Sequence, residues 1–138
     1  ENIVGSITHS NTEAVAALAY KKDYQGLGID LEKIISGDLE TLSQRICHEE
    51  ERVWVFEKES SLRLTIIYSL KESFYKLMYP VVREFIGFKD VSLFFENDEV
   101  LIKAQKDFSW ASQYLKRVKL TYNIVDNFVF SLALLPAK

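Results

Sequence analysis

Apolar and polar residues alternate near the start of the chain, at Ile3–His9 and again over Glu13–Leu18, with a Ser-Asn-Thr cluster at Ser10–Thr12 between them. A period of two broken by turn formers predicts one or two short strands. Gly26 and Gly28 punctuate the chain next. The stretch Leu27–Leu31 predicts a further strand, whose alternation sets Asp30 and Glu32 on one side, two residues apart. Gly37-Asp38 marks a loop or helix entry, and residues 39–57 are helix-compatible, with Glu49–Arg52 expected as a solvated helix start. The clearest element is a helix from about Ser60 to Val82. At 100° per residue, Leu62, Ile66, Leu70, Ser73, Phe74, Leu77 and Val81 fall within about 120° of one another, the core stripe of an amphipathic helix. Tyr68, Glu72, Tyr75, Lys76 and Tyr79 fall on a separate face, with Lys71 beside it.

Beyond Pro80 and Gly87 the pattern returns to a period of two. Val91–Phe95 and Val100–Ala104 flank Glu96-Asn97-Asp98-Glu99, which predicts a hairpin with a four-residue loop. Lys116–Val125 and Phe128–Leu135 predict a second hairpin joined at Asp126-Asn127. Strands, helices and then about four antiparallel strands give an α+β fold, a long helix packed on an antiparallel sheet.

Composition narrows the function classes. A length of 138 residues, 48% of them hydrophobic, has room for one core and not for two full domains. A single cysteine excludes an internal disulfide framework and fits a reducing, cytoplasmic compartment. The longest apolar runs, such as Phe128–Phe130 and Leu132–Leu135, fall far short of the roughly 20 residues that span a bilayer, so no transmembrane segment is expected. Net charge is −3, with 6 Lys/Arg against 12 Asp/Glu in residues 1–60, so there is no overall basic footprint and nucleic acid is a poor first guess for the partner. A small anion in a local pocket stays possible. His48 stands beside Cys47, but no further His or Cys is near enough to complete a zinc site. Cys47 reads as a buried small residue, since no partner base is identifiable.

Two clusters carry candidate chemistry. Asp30 and Glu32 project from one strand face, and such hard oxygen ligands suit Mg²⁺, which takes one or two carboxylates and completes its shell with water and phosphate oxygens. The same pair also reads as two solvated carboxylates at a strand end. Glu72 and Lys76 form an (i, i+4) pair in the favourable order, worth roughly 0.2–0.5 kcal/mol on an exposed helix. Three phenols on the same face argue against an ordinary solvated surface.

Taken together, Gly28-Ile29-Asp30-Leu31-Glu32 and Tyr68-Ser69-Leu70-Lys71-Glu72-Ser73-Phe74-Tyr75-Lys76 resemble the two signature motifs of the 4′-phosphopantetheinyl transferases, G-[IV]-D-x-E and aromatic-[ST]-x-K-E-[SA]-x-x-K. Gly5–Ser10 resembles the S-[IV]-[ST]-H segment that precedes the first motif in Sfp-type members. Leu77–Pro80 and Phe85–Phe88 further resemble the EntD-like, enterobactin-synthesis branch. The resemblance implies transfer of the 4′-phosphopantetheine arm of coenzyme A to a serine of an apo acyl or peptidyl carrier protein, with release of adenosine 3′,5′-bisphosphate, serving siderophore or non-ribosomal peptide synthesis. It implies that Asp30, Glu32 and Glu72 gather round Mg²⁺, that Lys71 and Lys76 contact the coenzyme A phosphates, and that Thr8 and His9 touch its 3′-phosphate and adenine end. Glu72 is the implied base and Lys76 its catalytic companion. It also implies a pseudo-dimer of two similar halves, with residues 27–138 as the second half and residues 1–26 as closing strands of a first half that is mostly missing. A coenzyme A or nucleotide-binding module without catalysis is the alternative of a different class.

Overall fold

The computed structural model describes residues 2–138. Strands β1 (Ile3–His9) and β2 (Ala14–Tyr20) pair only with each other, in register from Ile3↔Tyr20 to His9↔Ala14. Five further strands form one antiparallel sheet in the order β3-β7-β6-β5-β4: β3 (Tyr24–Lys33), β4 (Val91–Glu96), β5 (Glu99–Ala104), β6 (Lys119–Val125) and β7 (Phe128–Pro136). Helices α1 (Leu39–Ile46), α2 (Glu49–Glu57) and α3 (Ser60–Val82) fill the connection from β3 to β4, and a short α4 (Ala111–Tyr114) precedes β6. The expected α+β fold, with a long helix lying on an antiparallel sheet, is the observed one.

Helix α3 spans the expected residues. Of the expected stripe, Ile66, Leu70, Ser73, Phe74 and Leu77 are buried. So are Leu64, Ile67, Lys71 and Met78, because the sheet covers one side of the helix while α1 and α2 cover another. Burying an apolar side chain of this size contributes about 1.5–3 kcal/mol, and the run from Leu64 to Met78 is the main source of the core. The helix is entered at Glu59 (φ 49°) and left at Arg83 (φ 56°), whose N–H donates to the Tyr79 carbonyl as a left-handed C-cap. Residues 39–57 divide into two helices. Asp38 caps the first, accepting from Thr41 N at 3.1 Å, and the chain turns extended at Cys47 and His48 before the second begins.

Three local expectations are corrected. The first hairpin has a two-residue turn, since Glu96 pairs with Glu99, and Asn97 and Asp98 both take positive φ. A two-residue turn of this hand matches the twist of the flanking strands, and Asn and Asp tolerate it. Strand β3 begins at Tyr24 rather than at Leu27, so Gly26 lies within it as Gly28 does. A Cβ at Gly28 would stand 2.0 Å from the Ser73 carbonyl oxygen, so glycine here lets α3 lie directly on the strand. Lastly, Glu51 is not solvated: it is 1% exposed and forms a buried ion pair.

Along its other edge, β3 is held by side chains. Ile29 N donates to Ser6 Oγ at 3.1 Å and Leu31 N to Thr8 Oγ1 at 3.1 Å. The β1–β2 hairpin is therefore attached to the sheet through alternate hydroxyls of β1. Its opposite face leaves Ile3, Ile7, Leu18 and Tyr20 exposed.

Candidate active site

The end of β3 and the middle of α3 meet where the sequence places its two candidate clusters. Asp30 points toward α3 and is 3% exposed, with Glu32 farther along the same strand face and half-buried. Glu72 and Lys76 face them from the helix. Lys76 Nζ donates to the Ile29 carbonyl at 3.0 Å and lies 3.4 Å from both Asp30 Oδ1 and the Ile7 carbonyl, so it bridges α3, β3 and β1. Asp30 Oδ2 is buried with no hydrogen-bond partner. A buried carboxylate oxygen without a donor is costly, and an oxygen in this state is suited to a cation.

The carboxylates disfavour one another's charge. Burial, a hydrogen bond that Glu32 donates to the Asp30 carboxylate once protonated, and repulsion by Asp30 and Glu72 push the Glu32 carboxyl up to about 8, with Lys76 opposing. Glu72 is raised by burial and by Asp30, again eased by Lys76. The Tyr68 phenol is held up at about 12 by burial and by the same three acids. Such a constellation gains from a bound positive charge. The donor set of hard oxygens and the orphaned Asp30 Oδ2 fit Mg²⁺. As the side chains stand, no three carboxylate, His or Cys groups among the described residues converge on one point. Closing a site on Asp30, Glu32 and Glu72 therefore requires side-chain rotation.

Beyond Glu32 an open cleft of about 580 Å³ is lined by His9, Ser10, Thr12, Glu32, Lys33 and Phe128, among others. His9 is exposed on its wall. Thr8 is 4% exposed, and its hydroxyl already accepts from Leu31 N, which leaves its proton free to donate to an anionic ligand.

Lys71 is placed otherwise than its motif implies. The side chain is wholly buried, and Nζ donates to Glu51 Oε1 at 2.9 Å, to the Ile46 carbonyl at 2.8 Å and to the Phe88 carbonyl at 2.6 Å. An ammonium has three protons, and all are engaged here. The expected contact with phosphate is corrected on that ground: reaching solvent would strand Glu51 in the core. Glu51 also accepts from His48 N and Leu93 N, both at 2.8 Å, so the pair ties α1, α2, α3, β4 and the Phe88 loop together. Sequence reasoning missed Glu51. Its one signal was its position as third residue of a helix after a polar cap, the place of a capping-box acid.

The tyrosine-rich face has a structural partner as well. Phe88 stacks on Tyr68 with ring centroids 5.5 Å apart and meets Tyr75 edge-on at 5.4 Å, while Tyr75 Oη donates to the Gly87 carbonyl at 2.9 Å. Burial raises the Tyr68 and Tyr75 phenols, and both lie close enough to Glu72 for its charge to raise them further. Cys47 is buried as expected, its thiol pushed up to about 12 by burial and by Glu51. No helix among the described residues is long and apolar enough to cross a membrane.

Residues 26–133 match the family model of the 4′-phosphopantetheinyl transferase superfamily. Among curated proteins, 4′-phosphopantetheinyl transferase Npt of Nocardia iowensis is 31% identical over 101 residues, which cover 70% of this chain and 44% of that protein. The chain thus spans less than half the length of this curated relative. Among solved structures, holo-[acyl-carrier-protein] synthase of Thermotoga maritima superposes with a TM-score of 0.67 at 21% identity, covering 82% of this chain and 64% of that one. The Bacillus anthracis synthase, solved in complex with CoA (3′,5′-ADP), gives 0.67 at 17% identity, covering 84% and 99%. At these identities the structural likeness speaks for the fold, and with the family match over most of its length the chain belongs to the 4′-phosphopantetheinyl transferase superfamily.

Proposed function

We propose that this chain carries the acidic centre of an enzyme that transfers the 4′-phosphopantetheine arm of coenzyme A to a serine of an apo acyl or peptidyl carrier protein, releasing adenosine 3′,5′-bisphosphate. The observation that carries the reading is the buried, unpartnered Oδ2 of Asp30 beside Lys76 and the acids Glu32 and Glu72, of which Glu32 also lines the neighbouring cleft. Asp30, Glu32 and Glu72, once their side chains rotate together, would hold Mg²⁺, which would supply positive charge to offset that of the coenzyme A diphosphate. Lys76 moves its ammonium from Asp30 to a phosphate oxygen, a short step for a flexible point charge. His9, on the cleft wall, faces the 3′-phosphate and adenine end, with Thr8 supplying its remaining proton. Glu72 takes the proton of the carrier serine.

The motif continuation at Leu77–Pro80 and Phe85–Phe88 supports assignment to the EntD-like branch and to siderophore or non-ribosomal peptide carriers. The separate β1–β2 sheet, with Ile7 69% and Leu18 74% exposed, supports residues 1–26 as closing strands of another half and residues 27–138 as the second half. Incubation with coenzyme A, Mg²⁺ and an apo carrier protein, followed by intact-mass spectrometry, tests the reading. A carrier gaining one phosphopantetheine, dependent on Mg²⁺, is expected. Coenzyme A binding with no mass gain on the carrier would replace transfer by a binding module.

A further inference from the structure

Ser131 lies on β7 directly opposite Asp30 in the β3–β7 register, and it is wholly buried. Its hydroxyl donates to the Ser69 carbonyl of α3 at 2.8 Å. Since that uses its only proton, the contacts to Ser69 Oγ at 2.7 Å and to Ser73 Oγ must be bonds that Ser131 accepts. One donation and two acceptances exhaust a serine hydroxyl. Ser69 and Ser73 are themselves wholly buried, so two successive turns of α3 are fastened to a single atom on the sheet.

These turns are the ones that carry the acidic centre. Ser69, Glu72, Ser73 and Lys76 share one side of α3 at helical spacing, so whatever fixes the serines over β7 fixes the neighbouring Glu72 and Lys76 over Asp30 and Glu32. Gly28 sets the height of the helix by letting the Ser73 carbonyl down onto β3. It sets no rotation, because contact with a bare backbone leaves the helix free to roll or slide. The Ser131 node supplies that restraint, being directional at three bonds.

We propose that Ser131 is a positioning residue for the metal-binding carboxylates: it fixes the rotation and axial placement of α3 so that Glu72 meets Asp30 and Glu32. The proposal rests on the reading of these carboxylates as a metal site. Its test uses Mn²⁺ as the probe, titrated into the 138-residue chain and followed by electron paramagnetic resonance, with Tm measured in parallel. Ser131→Ala strips the acceptor from two buried hydroxyls and is expected to lower Tm and to weaken Mn²⁺ binding by about tenfold, the scale of loss when support behind metal ligands is removed. The triple variant Ser69→Ala/Ser73→Ala/Ser131→Ala has no stranded hydroxyl, so its Tm should return toward that of the wild type while Mn²⁺ binding stays weak. Persisting weakness at restored stability is what a merely structural role does not give. Mn²⁺ affinity within twofold of wild type in Ser131→Ala, or recovery of affinity together with Tm in the triple variant, overturns the proposal. Failure of the wild-type chain to bind Mn²⁺ removes the metal site itself and the proposal with it, an outcome distinct from binding that ignores Ser131.

Discussion

At Glu32, burial and two neighbouring carboxylates act in the same direction, and the carboxyl is pushed from its ordinary 4.5 up to about 8. A folded-state value above the unfolded one means that the folded chain holds its proton more tightly. The associated stability is complete below the unfolded value and is lost as pH rises through the folded one. The Tm of the metal-free chain is therefore expected to fall as pH rises from about 5 to about 8, with millimolar Mg²⁺ reducing the fall and Glu32→Gln flattening it. A Tm independent of pH over this range would count against a repelling carboxylate cluster. Glu72 is half-buried beside Asp30 and Lys76 rather than in the core. Glu72→Ala should cost on the order of 100-fold or more in transfer, yet only about 0.5 kcal/mol in stability, as for most surface substitutions. Retained transfer removes Glu72 from the site, and a large fall in Tm reassigns it to the scaffold.

Among the elements, α3 was the most legible, because a 3.6-residue period sustained over 23 residues leaves little choice of structure. The edges of β3 were less so. Glycine weakens strand propensity, and the strand read over Leu27–Leu31 begins three residues earlier, at Tyr24, so that it takes in Gly26. Lys71 marks the limit of reading chemistry from a motif, since its neighbours Glu72 and Lys76 face Asp30 on β3 while helix geometry turns Lys71 toward α2. Its partner lies twenty residues away on another helix, beyond the reach of any local pattern. The same burial gives a stability prediction. Lys71→Met leaves the Glu51 carboxylate unpaired in the core and should cost about 3–5 kcal/mol, read by urea denaturation. Adding Glu51→Leu to it should recover part of that loss, not all, because His48 N and Leu93 N lose their acceptor. If Lys71 acted on phosphate instead, Glu51→Leu would bring no recovery, and the single variant would mainly raise the KM for coenzyme A.

For the whole molecule, the fold class was legible because period-two and period-3.6 segments follow one another in an order that few α+β arrangements satisfy. The proposed division into residues 1–26 and 27–138 was not. It depends on whether something covers Ile3, Ile7, Leu18 and Tyr20, and an apolar stripe on one side of a strand looks alike whichever half it packs against. If the division holds, a chain extended to the length of the Nocardia relative should transfer phosphopantetheine at least about tenfold faster than these 138 residues, as expected where a site is completed across two halves. Equal turnover by both would refute the division.

The attachment of β1 to β3 through Ser6 and Thr8 places a reporter in the backbone. In an antiparallel ladder alternate amides of β3 point toward β7, whereas Ile29 and Leu31 point the other way and are held only by those two hydroxyls. Hydrogen exchange should therefore split β3 into two interleaved sets: slow amides that report the unfolding of the sheet, and faster ones at residues 29 and 31 that report the hairpin lifting away. Exchange of all β3 amides at one rate would show the hairpin and the sheet to open as a single unit. Since Lys76 also reaches the Ile7 carbonyl at 3.4 Å, those two amides would register any ligand that draws the lysine off β1.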